Sequence, residues 1–440
     1  MKKIILLPAI LFLIAIFGSN AQEKEKIKTG WNLGALPTIA FDTDLGFQYG
    51  ALVNLYNYGD GSRYPRYNHS LYFEVSRFTK GSGINRFFYD SDQLLTGIRT
   101  TFDLSYITDP KMDFFGFNGY ETSFNAAFTD EDNTDDYISR VFYAHDRKMF
   151  RTKVDLVGRL LGENLDWIAG FAIYNFKTGA VDREKFDMPE AETLYEKYIN
   201  WGIIQDNEKD GGWVNYLKAG IAYDTRDNEP NPMKGLWTEA VIQTAPGFLG
   251  NGDFGHTKFA LTHRQYFTII EKNLSFAYRL AYQQTIGSGR VPFYAQPLVI
   301  TSFLKGTTSQ GLGGSKTLRG ISRNRVVGDG FFYGNAELRW KFVRFIALNQ
   351  NIYLAINPFW DFGVITQPVD LNVDINSLDW GSAFEKSDFF TEEKEKLHHS
   401  IGAGLKIAMN ENFVVSLDIG KALNEQDGNM GVYIGLNFLY

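Results

Sequence analysis

Arginines, carboxylates and six histidines are the side chains of this chain that could do chemistry, because it holds no cysteine. Thiolate metal sites, cysteine nucleophiles and disulfides are therefore excluded. The run Gly311-Leu312-Gly313-Gly314-Ser315-Lys316-Thr317 has the glycines of a phosphate loop. That loop needs Gly-Lys-Ser/Thr, and Ser315 puts Lys316 out of register. No Gly-x-Ser-x-Gly elbow is present. His398 and His399 are adjacent on an extended segment, so their rings face opposite sides and cannot share a metal ion. His69, His145, His256 and His263 fall at no catalytic or ligand spacing. Two segments are acidic: Lys177–Gly212 has nine acids against five bases, and Val364–Leu397 has eight against three. Neither has the spacing of an EF-hand loop, and both read as solvated, self-repelling surface loops. The chain is expected to be no enzyme and to use no cofactor and no metal. A formal net charge of −7 argues against nucleic acid as a partner.

Ion-pair chemistry remains. Arg319 follows the glycine-rich run, and its planar fork can hold a carboxylate through two hydrogen bonds, which lysine cannot do. Glu337, in Gly334-Asn335-Ala336-Glu337-Leu338-Arg339, and Asp361, in Phe359-Trp360-Asp361-Phe362-Gly363, are its candidate partners. The alternative is a solvated Arg319 and a water-facing Asp361. A second cluster, Tyr223-Asp224-Thr225-Arg226-Asp227-Asn228, leads to Pro232 and Gly235. Asp and Asn stabilise turns through their own backbone, and Pro sets the chain direction. This is a rigid turn rather than a ligand site, with Arg226 paired to a nearby acid.

Strands must position these groups. In Asn335–Phe345, Ala336, Leu338, Trp340 and Phe342 alternate with Asn335, Glu337, Arg339 and Lys341. In Ser400–Asn410, Ile401, Ala403, Leu405, Ile407 and Met409 alternate with Gly402, Gly404, Lys406 and Ala408. In Gly431–Tyr440, Val432, Ile434, Leu436, Phe438 and Tyr440 share one face. Period two with one apolar face means strands. The other face is often glycine or charge, and the strands run to about ten residues rather than the usual five or six. The apolar face is therefore expected to meet lipid, with Tyr440 as the last outward aromatic. By this parity Asp361 and Glu337 point into a lumen. Sixteen strands are counted, the first four centred near Leu36, Leu52, Phe73 and Thr101, the fifth near Val141 and the last near Leu436. Glu190–Ile204 could form a short helix. Short connections (Gly162–Glu163, Ile270–Asn273, Asn410–Asn412) mostly alternate with long ones, as in outer-membrane barrels. Asp109–Asp135 breaks that alternation.

The leader is equally plain. Lys2 and Lys3 precede the apolar run Ile4–Phe17, and the small residues Ser19 and Ala21 follow. This predicts a signal peptide over residues 1–21, because the run is short of the roughly 20 residues a spanning helix needs. Residues 22–30 would be a short periplasmic segment and residues 31–440 the outer-membrane barrel.

The four motif segments, in their order and spacing, resemble the barrel of the BamA/TamA superfamily, also called the bacterial surface antigen family. Its hallmarks are the D-T-R-D-N…P-x-x-G turn, an inward-folded sixth surface loop with V/I/L-R-G-F/Y, and an F-x-D-x-G strand facing it. Arg319 and Gly320 match; the family's aromatic after them is Ile321 here. The resemblance implies an all-β, transmembrane antiparallel barrel of sixteen strands, with Arg319, Gly320, Glu337 and Asp361 latching the loop and Asp224, Arg226, Asp227, Asn228, Pro232 and Gly235 forming a periplasmic turn. Members that insert barrels or export proteins carry POTRA domains, whereas only Gln22–Gly30 precedes the first strand here. The expectation is a barrel-only branch that assists insertion, assembly or translocation at the seam between the first and last strands, the last being weakened by Gly431 and Gly435. The alternatives are a scaffold or binding subunit and a passive pore. Expected partners are outer-membrane lipid and other outer-membrane or periplasmic proteins.

Overall fold

The computed structural model describes residues 27–64, 66–133, 135–184, 192–229, 231–303, 306–308, 310–347, 350–409 and 413–440. The expected leader, residues 22–26 behind it and the Asn410–Asn412 turn lie outside the described residues. The strands are β1 (Trp31–Asp42), β2 (Gly46–Asn57), β3 (His69–Phe78), β4 (Gly83–Leu95), β5 (Ile98–Asp113), β6 (Ala144–Leu161), β7 (Leu165–Gly179), β8 (Gly211–Asp224), β9 (Gly235–Ala245), β10 (His256–Ile270), β11 (Leu274–Ile286), β14 (Gly330–Ala347), β15 (Gln350–Gln367), β16 (His398–Met409), β17 (Phe413–Ala422) and β18 (Met430–Leu436). These sixteen close an antiparallel barrel. The small pair β12 (Val299–Ser302) and β13 (Gly306–Thr308) sits in the loop between β11 and β14.

Side-chain alternation builds the wall. On β14, Leu338 and Trp340 are exposed while Asn335, Glu337 and Arg339 are buried. On β16, Ile401 and Leu405 are exposed while Lys406 is buried, and on β5, Leu104 and Tyr106 are exposed while Asp103 and Ser105 are buried. An apolar outside around a charged inside is the inverse of a soluble sheet core and fits a cylinder set in lipid. One end carries short turns, such as residues 96–97, 162–164 and 271–273. The other carries the long loops 114–143, 180–210, 287–329 and 368–397.

Two strand assignments are corrected. No strand is centred on Val141; Val141, Phe142 and Tyr143 lie buried in loop 114–143. The missing strand is β4. Its Arg86-Phe87-Phe88-Tyr89 run puts bulky rings on both faces, which hides the alternation: Phe87 lies against Phe73 and Phe102 outside, and Arg86 covers Phe88 within. With β4 in place, the long Asp109–Asp135 connection falls at the long-loop end; the first connections do not follow the alternation, since residues 43–45 and 79–82 at that end are short and residues 58–68 at the other are long.

The acidic segments also differ from expectation. They are not wholly solvated. Loops 114–143, 180–210, 287–329 and 368–397 share an aromatic core that includes Phe114, Phe142, Tyr198, Phe293, Phe389 and Phe390. The helix α1 (Leu194–Asn200) falls inside the expected Glu190–Ile204 window. It starts at a capping box, in which Thr193 Oγ1 accepts from Glu196 N and Thr193 N donates to Glu196 Oε2. Its Leu194, Tyr195 and Tyr198 enter that core, and one acid of the segment, Glu208, is buried with them, paired to Arg290 and accepting from Phe293 N. The result is a dome over the long-loop end.

The last strand departs from its pattern as well. The alternation holds to Leu436, but Asn437 takes φ +66° and turns the chain inward. Phe438 and Tyr440 are buried, not outward. Phe438 packs with Tyr353, Ala355, Ala408 and Val414, and Tyr440 Oη donates to the carbonyls of Ala277 and Asn335. A hydroxyl and two rings find better partners in the lumen than on the wall, where Asn437 already breaks the extended backbone.

Candidate functional site

Two features converge at the seam side of the barrel: a loop inserted in the lumen, and a short closure of the wall. Loop 287–329 folds inward because its tip closes on itself. Leu312 and Val326 bridge in both directions, Thr317 Oγ1 bonds both N and O of Gly313, and Gly314 N donates to Ile321 O. Leu312, Leu318, Ile321 and Val326 bury against Phe331, Tyr333 and Ile365 of the wall. Ile321 thus fills a wholly buried apolar place where the family pattern has an aromatic.

Arg319 sits at the centre. Its Nε and Nη2 donate to Asp361 Oδ2 and Oδ1 at 2.8 and 3.0 Å, and its backbone N donates to Asp361 Oδ2 at 3.0 Å. Nη1 is 2.8 Å from Glu337 Oε1 and 3.5 Å from Asp418 Oδ1. The Glu337 contact is an ion pair out of line for a hydrogen bond, so neither Nη1 nor Oε1 gains a directed partner. The guanidinium also stacks 3.5 Å from the Phe359 ring centroid. Burial works against its charge, yet Asp361 first and Glu337 next hold its pKa well above the ordinary arginine value. Around it, Arg339 Nε reaches Glu337 Oε2 at 2.9 Å and Lys406 Nζ reaches Asp418 at 2.7 Å. Arg319, Arg339 and Lys406 thus balance Glu337, Asp361 and Asp418, which is how so many buried charges are tolerated.

Strand register delivers these groups. Asn335 pairs with Asp361 and Glu337 with Phe359 across β14 and β15, so all four point inward. Gly320, at φ +95°, lets the loop lie on β17: a Cβ there would be 2.5 Å from the Gly420 carbonyl carbon. Its N–H donates to Tyr433 Oη of β18 at 3.1 Å.

The structure places the second predicted cluster elsewhere, at the short-turn end between β8 and β9. Arg226 donates to Asp224 at 2.6–3.2 Å and stacks 4.0 Å from the Trp237 ring centroid, with Arg264 on the same ring. Asp227 accepts from the N–H groups of Met233 and Lys234, and Asn228 Oδ1 from Asn231 N. Pro232 follows in the turn, and Gly235 opens β9 at φ +97°. Asn231 then reaches Tyr353 Oη on β15 at 3.0 Å, so the turn crosses beneath the lumen.

Sequence reasoning missed Arg323 and Arg325. Arg323 Nη1 and Nε lie 2.5 and 2.7 Å from Asp109 and Asp113 of β5. Arg325 donates to the carbonyls of Gly119, Thr122 and Gln426. Three arginines within seven residues of a loop were the available signal.

The seam is the second feature. β1 pairs with β2 along all its length, from Trp31–Asn57 to Asp42–Gly46. With β18 it pairs at Phe41–Ile434 and Asp42–Tyr433. Thr43 extends this slightly, donating from N to Val432 O at 3.1 Å and accepting from Val432 N on Oγ1 at 2.7 Å. Most of the β1 edge is left without a ladder to β18, because the last residues of the chain turn into the lumen.

A model of the Omp85 superfamily domain matches residues 68–439. No curated protein matches. Among solved structures, BamA from Haemophilus ducreyi lacking POTRA domains 1–3 aligns with TM-score 0.55 and 15% identity, covering 93% of this chain and 71% of that one. CdiB from Escherichia coli aligns with TM-score 0.55 and 10% identity, covering 93% of this chain and 63% of that one. At such identities the structural likeness shows the fold alone.

Proposed function

The chain belongs to the Omp85 superfamily, and from that premise we propose that it is an outer-membrane barrel assisting the insertion, assembly or translocation of proteins or other substrates, with the β1–β18 seam as the place of passage. Carrying this reading is the seam itself: two residue pairs close a wall whose other joints run to seven or more. An unpaired strand edge facing lipid is costly, and an incoming strand that adds to it recovers those hydrogen bonds. In this reading Arg319, Gly320, Glu337 and Asp361 are a structural latch on the inserted loop. The turn from Asp224 to Gly235 is a periplasmic brace, and neither cluster is catalytic. Residues 1–21 would serve as the cleaved export signal.

The absence of native cysteine makes the test clean. Phe41→Cys with Ile434→Cys places thiols on directly opposed residues. Liposomes carrying the reduced protein should speed the folding of a urea-unfolded barrel, and oxidation should abolish the gain until reductant restores it. Equal folding rates with the seam locked and unlocked would overturn the reading. A scaffold or binding role is the second reading, favoured by the ordered dome, whose outer surface keeps its acids. Co-purification from native outer membranes would identify its partners. A passive pore is disfavoured by a lumen filled with loop and tail.

A further inference from the structure

The inserted loop touches both flanks of the seam. On one side stand β14, β15, β17 and β18, reached through Arg319, through Gly320 N on Tyr433 Oη and through Ser322 N on Asp427 O at 2.8 Å. On the other side stands β5. Arg323, four residues on, pairs with Asp109 and Asp113 and donates from Nη2 to Lys111 O at 3.3 Å, and Asn324 Nδ2 donates to Asp113 O at 2.6 Å. Asp109 is tied in turn to Ser82 beyond β3 at 2.9 Å. Gly314 brings the loop against the β1–β2 turn: a Cβ there would be 3.3 Å from both Asp44 Oδ2 and Arg323 Cβ. Arg323 and Asp109 are both almost wholly buried, so water does little to weaken their attraction. The wall halves that meet weakly at β1–β18 are thus joined by a second route across the lumen.

We propose that Arg323 is a positioning residue which, with Arg319 as its counterpart, clamps the two flanks of the seam together through the loop tip, so that release of the Arg323 end lets the seam part. The proposal rests on the seam reading above and adds what controls it. The Arg319 end holds β14–β18 as one body. The Arg323 end holds β5, and through the hairpins β2–β5 it holds β1. Between the two arginines lie only Gly320, Ile321 and Ser322, a strut too short to stretch. A client or partner that competes for Asp109 and Asp113, or draws the loop outward, would therefore act on the seam at a distance.

The test uses two cysteine pairs in the full-length protein in native membranes. The seam pair is Phe41→Cys with Ile434→Cys, and the control pair is Leu405→Cys with Leu417→Cys, opposed on β16 and β17. Adding R323A should slow oxidative cross-linking of the seam pair at least threefold and leave the control pair unchanged. A general loss of stability would slow both. Equal seam cross-linking with and without R323A overturns the proposal, and so does equal slowing of both pairs. If R323A does not accumulate as a folded barrel, Asp113→Asn, which leaves Asp109 on the guanidinium, is read by the same two rates, and an unchanged seam rate there overturns it too. No substrate enters this measurement. A failed folding assay would therefore sink the proposed function without touching the clamp, and the reverse also holds.

Discussion

At Arg319 three bonds meet on one carboxylate, and that geometry sets what each substitution should do. Removing one partner of a buried ion pair strands the other and costs about 3–5 kcal/mol. Arg319→Ala and Asp361→Asn should each lower the temperature at which the folded barrel loses its heat-modifiable mobility on a gel. Arg319→Lys should recover only part of the loss, since a point charge cannot span both Asp361 oxygens. Asp44, in the turn beside the seam, titrates in an unusual range. Burial, then Asp42 and Asp113, push its pKa from 3.8 to about 8, against the pull of Arg323 and Lys80. The folded state holds a proton there that the unfolded chain has lost, so stability falls as pH climbs from about 4 to 8. Asp44→Asn removes that proton linkage. Its advantage over the parent should grow between pH 5 and pH 8, read as the difference between their thermal midpoints, and a constant difference would contradict the assigned shift. Asp361 and Glu337 were legible because strand parity fixes which way a side chain points. Arg323 was not, because its partner Asp109 lay in a stretch read as a connection.

Elements were legible where their two faces differ in chemistry. β14 and β16 set branched or aromatic residues against charge or glycine, and they stand where the alternation put them. β4 failed because rings occupy both faces, and Val141 misled because an apolar run in a loop core imitates a strand centre. The tail shows a subtler limit. The pattern from Val432 to Tyr440 would suit the wall throughout, but the lumen offers the tail rings cationic partners. Arg339 lies 4.3 Å from the Phe438 centroid and 5.0 Å from that of Tyr440, and its Nη2 donates to Tyr440 O at 2.9 Å. Tertiary contact overrides pattern there. Phe438→Ala should cost about 3 kcal/mol, at the lower end for a buried phenylalanine because the lumen can admit water. If the tail instead lay on the wall in solution, this change would be nearly neutral in the same thermal assay.

At the scale of the molecule the barrel is stoppered three times: by the dome, by the loop tip and by the turn and tail across the short-turn end. Each stopper is anchored differently, and this separates a gated barrel from a pore. The dome is held by aromatic packing among four loops, the tip by arginines, and the floor by Asn231 on Tyr353 and by Tyr440. Parent protein in a planar bilayer should therefore pass little steady current. Arg319→Ala alone should raise conductance only slightly, because the dome and floor stay in place, while mainly lowering stability. Deleting residues 312–326 removes the tip together with the anchors that Arg325 gives to loop 114–143, so it should raise conductance several-fold. A pore whose tip merely lines the channel predicts the opposite ranking: a large rise with Arg319→Ala, little change in thermal midpoint, and no further gain from the deletion. Recording single-channel conductance and the thermal midpoint on the same three preparations distinguishes the two, since Arg319→Ala moves mainly the midpoint if the tip is a latch and mainly the conductance if it lines a pore.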